Sequence, residues 1–92
     1  MDLEWDPRKR VSNLRDHGID FVDAARIFEG PVLEAADERR EYGEDRIIAM
    51  GGVNNRVIVV VYTWRGTARR IISARKATSH EREAYYQSLF ER

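Results

Sequence analysis

The stretch RIIAMGGVNNRVIVVVYTWRGTARRIISARK, residues 46–76, decides the fold. Its β-branched residues (Ile47, Ile48, Val57, Ile58, Val59, Val60, Val61, Ile71, Ile72) suit strands better than helix. They predict three antiparallel strands over 46–50, 56–64 and 68–76, with turns at Gly51 to Asn55 and at Arg65-Gly66. If Arg65-Gly66 is a two-residue turn, Trp64 stands opposite Thr67 and the register follows. Arg56 then faces Arg75, Ile58 faces Ser73, Val60 faces Ile71 and Tyr62 faces Arg69, all on one side of the sheet. The other side carries Val57, Val59, Val61, Thr63, Arg70, Ile72 and Ala74. Being the more continuous apolar surface, it is expected against the helices. Two opposed arginines repel; either an anion sits between them or both fan out into solvent. A one-residue slip would exchange the two faces.

Upstream, Leu3 to Trp5 reads as a short first strand. Asp6-Pro7 reads as an N-cap with proline at the first helical position. Val11 and Leu14 give that helix a thin apolar stripe, and Gly18 stops it. Asp20 caps a second helix whose Phe21, Ala24, Ala25 and Phe28 fall at the spacing of one buried face, ended by Gly30-Pro31. A strand over 32–36 and a charged loop over 37–44 lead into the sheet. Downstream, Thr78 and Glu81 make a capping box at the start of a last helix. Together these elements predict a single α+β domain over residues 1–92, with two N-terminal helices and one C-terminal helix packed on an antiparallel sheet.

Net charge is zero, yet it is unevenly spread. Residues 1–45 hold seven basic and thirteen acidic residues, a balance of −6; residues 46–92 hold nine and three, a balance of +6. No acidic residue falls between Arg46 and Lys76. Such asymmetry points to a basic face for an anionic ligand, or to a solvated sheet face without one. The absence of cysteine removes disulfides and thiolate metal sites. No apolar run reaches membrane-spanning length and the N-terminus lacks an apolar signal region, so a cytoplasmic protein with no membrane contact is expected. His17 and His80 lie in different helices without an H-E-x-x-H pattern, and the acidic 37–45 stretch reads as solvated loop, so no metal site is expected. The phosphate-loop and G-x-S-x-G patterns are also missing.

The remaining chemistry belongs to Arg, Lys and Tyr. These suit RNA cleavage, because the nucleophile is the substrate's own 2′-hydroxyl and the protein need only position it and stabilise charge.

Trp5-Asp6-Pro7, Asn13-Leu14, His17-Gly18-Ile19, Phe21 with Ala24-Ala25 and Phe28, then 59–63, Arg65-Gly66, 70–77, Glu81-Arg82 and Tyr85, together resemble the BrnT toxin family. The resemblance implies a RelE-like fold and ribonuclease activity as the toxin of a type II toxin–antitoxin pair; from the residues themselves, no cofactor is expected. It also implies a ribbon-helix-helix, BrnA-like antitoxin through which the complex binds operator DNA. Carried over by position, it makes Arg56, Arg75, Lys76 and Tyr85 the catalytic candidates. Arg46, Arg65, Arg69 and Arg70 are expected to bind RNA, and Tyr62, Trp64 and Arg69 the antitoxin. Tyr85 has a second reading as sheet packing. Trp64 either stacks a base or is an edge aromatic covered by the antitoxin. The rival reading of the whole chain is a degenerate toxin that binds RNA or antitoxin and cuts nothing.

Overall fold

The computed structural model describes residues 2–91. Strand β1 (Leu3–Trp5) leads into α1 (Pro7–His17) and α2 (Phe21–Ala24), which tightens into a 3-10 turn over Ala25–Glu29. Strands β2 (Leu33–Ala36), β3 (Ile47–Val53), β4 (Arg56–Arg65) and β5 (Ala68–Lys76) follow, and α3 (Ser79–Phe90) closes the chain. The sheet order is β1-β5-β4-β3-β2. β2 to β5 are antiparallel, but β1 pairs parallel with β5, so the sheet is mixed rather than wholly antiparallel.

Local chemistry sets the helix starts. The side chains of Asp6, Asp20 and Thr78 accept from the amides of Arg8, Val22 and Glu81 respectively, which satisfies otherwise orphaned donors. Phe21, Ala24 and Ala25 are buried as the second helix's spacing requires, whereas Phe28 is only partly buried and Ile27, off that stripe, is fully buried in the 3-10 turn. Enclosing a ring such as Phe21 contributes roughly 1.5–3 kcal/mol. The expected stripe on α1 is not buried: Val11 is 67% and Leu14 49% exposed. The buried residue of α1 is Asn13. Its amide donates to the carbonyls of Ile19 and Ala74, at 2.9 and 2.8 Å, and its oxygen accepts from the Ala74 amide at 3.0 Å. β1 ends opposite Ile71, so beyond it β5 has a strand neighbour only on the β4 side. Asn13 takes the missing neighbour's place and ties α1 to the sheet edge.

Both hairpins depart from the expected turns. Gly51 and Gly52 lie inside β3, and the turn is Asn54-Asn55, with φ of 52° and 64°, the pattern of a type I′ hairpin. Gly51 is needed for close approach: a Cβ there would come 2.6 Å from Ile27 Cβ. The second turn is Gly66-Thr67, not Arg65-Gly66, because Arg65 pairs with Ala68. A primed turn needs positive φ at its first central position, and Gly66, at 61°, supplies it without the strain an arginine would meet there. Trp64 therefore faces Arg69, and Tyr62 faces Ile71.

A register shift between Val61 and Tyr62 then changes the pairing again. Val61 faces Ser73, Val59 faces Arg75 and Ile58 faces Lys76. The expected Arg56–Arg75 opposition does not exist: Arg56 pairs with Val53, and Arg75 projects from the opposite face of the sheet. The expected core face is also reversed. Ile58, Val60, Tyr62, Ala49, Ile71 and Ala74 join the helix residues in one apolar cluster. Val57, Val59, Val61 and Thr63 are buried too, on the other face, where α3 and the 37–46 segment lie. A central strand covered on both faces has no alternation to read, so the continuous apolar run left the choice of face open. No helix among the described residues is long and apolar enough to cross a membrane.

Replacing Asn13 by Ala strands the Ala74 amide and two carbonyls. This should cost about 2–4 kcal/mol of stability in urea denaturation, whereas Val11→Ser should stay within about 0.5 kcal/mol of wild type.

Candidate functional site

The β4–β5 ladder runs one pair past β5, with the Ala77 amide donating to the Val57 carbonyl at 2.9 Å. That extension brings the backbone of the Thr78 cap alongside that of Arg56, the first residue of β4, and α3 then runs over the face opposite the Arg56 side chain. Lys76, the last residue of β5, lies opposite Ile58 and so shares Arg56's face. Neither Arg56 nor Lys76 has an ion-pair partner among the described residues. Within the cap, the Thr78 and Glu81 amides are already bonded; those of Ser79 and His80 point along the helix axis at its positive end.

Arg75 projects from the other face of the sheet, where α3 lies. Its Nη1 and Nη2 donate to the two carboxylate oxygens of Glu81, at 2.7 and 2.9 Å. The pair raises the Arg75 pKa and holds the Glu81 carboxyl down at about 2, below its ordinary 4.5. Hydrogen bonding to the charged partner is the larger cause in both cases, opposed by burial. Tyr85, one turn further along α3, is only 3% exposed, and its hydroxyl donates to the Pro31 carbonyl at 2.7 Å. Of the four expected catalytic residues, Arg56 and Lys76 thus share one face, and Arg75 and Tyr85 lie on the other.

The expected RNA-binding arginines are dispersed. Arg46 is bonded to Glu44 at 3.0 Å and stacks on the Tyr42 ring at 4.0 Å; Arg70 pairs with Glu4 at 3.4 Å. Arg65 lies exposed at the second hairpin. Arg69 sits among three rings, 4.2 Å from the Phe28 centroid, 4.7 Å from Trp64 and 5.3 Å from Tyr62. Tyr62 itself is buried in the core with its hydroxyl on Glu34, and burial raises its pKa. Of the expected antitoxin residues, only Trp64 is substantially exposed, at 46%. Together with Arg69 and Glu34 it borders an open groove of about 360 Å³ beside the edge strand β2.

Asp37 did not stand out in the sequence. It belongs to the stretch read as solvated loop, yet its carboxylate is fully enclosed and accepts from Arg39 Nε and Nη2 at 2.8 and 2.7 Å. That bond holds its pKa well below the carboxylate range. Its own amide donates to the Arg46 carbonyl, which extends the β2–β3 ladder. Glu81 was legible as a helix cap but not as the partner of Arg75.

The Glu81 pair has a pH signature. A carboxyl whose folded pKa is depressed adds stability that is complete above its unfolded value and is lost as pH falls through the folded one. The melting-temperature gap between wild type and Glu81→Gln should therefore be widest near pH 6 and close as pH drops from about 4.5 toward about 2. A gap that stays constant over that range would show that the pair does not form.

No curated protein matches the chain. The family model described as the ribonuclease toxin, BrnT, of the type II toxin–antitoxin system matches residues 5–81, from the last residue of β1 into the first turn of α3, and stops short of Tyr85. The chain accordingly belongs to the BrnT family of ribonuclease toxins of type II toxin–antitoxin systems.

Proposed function

We propose that this chain cuts RNA by internal attack, without a metal, at the corner formed by Arg56, Arg75, Lys76 and the first turn of α3. The substrate's O2′ bonds to the adjacent phosphorus as the bond from phosphorus to O5′ breaks. A proton leaves O2′ and another arrives at O5′. The products are a 2′,3′-cyclic phosphate and a 5′-hydroxyl. The observation that carries this reading is that Arg56 and Lys76 stand without carboxylate partners beside a helix N-terminus, which suits a phosphate. Lys76 is the candidate proton carrier at the corner. Tyr85 can serve there only by leaving the Pro31 carbonyl, so its first role is to seat α3. Arg46, Arg65, Arg69 and Arg70 would guide the flanking RNA, the paired ones in competition with their carboxylates. Metal independence is supported by the commitment of Asp37 and Glu44 to Arg39 and Arg46. A five-stranded sheet with helices on both faces is compatible with a RelE-like arrangement.

The same reading includes a ribbon-helix-helix antitoxin in the cytoplasm that blocks the toxin and carries the complex to operator DNA. Its docking surface is the groove at Trp64 and Arg69, where an exposed aromatic adjoins a stacked cation. Tyr62 supports that surface from beneath.

Cleavage should survive EDTA, and end-group analysis should find cyclic phosphate. Arg56→Ala, Lys76→Ala and Arg75→Ala should each slow cleavage at least about tenfold while remaining folded, and Arg26→Ala should change little. Products ending in a 3′-hydroxyl would sink the internal-attack mechanism. Folded variants of all three cations with full activity would remove the corner from the chemistry.

For the partner, Trp64→Ala combined with Arg69→Glu should weaken copurification with the antitoxin far more than it lowers the melting temperature of the toxin itself. Retention of the complex would place the antitoxin on another surface.

A further inference from the structure

Arg75 has five N–H donors on a planar guanidinium, and its partners take only part of them. Nη1 and Nη2 together face Glu81, and Nη1 also reaches the Lys76 carbonyl at 3.3 Å. The other edge, made by Nε and the second Nη2 proton, has no bond among the described residues, and the side chain is 42% exposed. One bidentate edge is held and the other is open.

The group that holds it is itself fixed. Glu81 occupies the third position of α3, where its Oε1 accepts from the Thr78 amide at 2.8 Å and its own amide donates to Thr78 Oγ1 at 3.1 Å. α3 is in turn fastened by the Tyr85 hydroxyl on Pro31. A flexible arginine loses rotamer freedom when it binds a phosphate, and a carboxylate that restrains it beforehand removes part of that cost.

We propose that Glu81 is a positioning residue of the ribonuclease site: it grips the Nη1/Nη2 edge of Arg75 so that the Nε/Nη2 edge is presented as a bidentate donor to the substrate phosphate. The inference rests on the reading of Arg75 as a phosphate-binding residue. It also makes the site depend on α3, since an undocked helix withdraws Glu81. A carboxylate acting as an internal plug would instead occupy the edge that meets the phosphate.

Glu81→Gln is the informative variant because glutamine preserves a capping box while losing the charged fork. With the purified full chain and a short RNA, kcat should fall about tenfold, with KM changed less than about threefold, since the restraint matters most for charge developing in the transition state. The double variant Arg75→Ala/Glu81→Gln should be no slower than Arg75→Ala, within about twofold, because the two residues act as one unit. Activity at or above wild type in Glu81→Gln overturns the proposal and favours a plug. A loss that adds fully to that of Arg75→Ala overturns it as well, since Glu81 would then act through something else. Full activity of Arg75→Ala alone is a separate signature: it removes Arg75 from the site and takes this inference with it. An independent reading needs no variant: the Arg75 guanidinium protons in the wild type should show restricted rotation by NMR, and free averaging would show that the grip is absent in solution.

Discussion

One residue too many in β5 determines which way every side chain beyond it points. Tyr62 faces Ile71 and Val61 faces Ser73, which leaves Ile72 without a partner of its own on β4. Such a bulge exchanges the faces of all that follow. Before it, Arg69 lies on the core side, stacked among Phe28, Tyr62 and Trp64. After it, Ala74 joins the core cluster and Arg75 turns to the face that α3 covers. Had β5 continued unbroken, Arg75 would have pointed toward α1 and α2, out of reach of Glu81. The edge beside the bulge is the weak place this creates. β1 has already ended, and Asn13 supplies the missing hydrogen bonds at Ala74, the residue next to Arg75.

These features differ in how far they can be read from the chain. Helix starts at Asp6, Asp20 and Thr78 are legible because a cap is a contact between neighbours in sequence. The second turn was legible in principle: Gly66 must take the first central position of a primed turn, and weighing φ at Arg65 would have found it. The bulge was not, because nothing in Ile71-Ile72-Ser73 announces which residue lacks a partner. The core face was hidden for a different reason. Val57 to Val61 are buried on both sides, so only the small residues Ala49, Gly51 and Ala74, which admit the helices, mark the inner face. Asn13 was invisible because its partners stand six and sixty-one residues away.

Charge shows the same division between local and distant. The acidic and basic halves of the chain meet in the fold, and much of the apparent basic sheet is neutralised there. Glu4 meets Arg70 across the β1–β5 pair, Glu44 meets Arg46, and Arg75 has Glu81 from α3. Among the described residues of the basic half, those that escape compensation are Arg65 at the second hairpin, Arg82 on α3, and a pair at one corner, Arg56 and Lys76, which end their strands next to the cap of α3.

A corner of this kind has consequences for how an RNA would be held. Each phosphate neutralised on a single strand adds roughly 0.7 to the salt dependence of binding, so a site with few free cations gains little affinity from charge alone. An arginine already paired with a carboxylate, as Arg46, Arg70 and Arg75 are, brings little net charge to a phosphate. Such a protein does not hold RNA tightly in the ground state. On the proposed mechanism its cations act instead where charge develops in the reaction, and interactions confined to the transition state raise turnover rather than affinity. A chain of zero net charge is therefore compatible with a ribonuclease, provided that the few cations it leaves free are rigidly set. In this fold it is Arg75 that is set in this way, by the bulge, the cap of α3 and the carboxylate of Glu81 acting together.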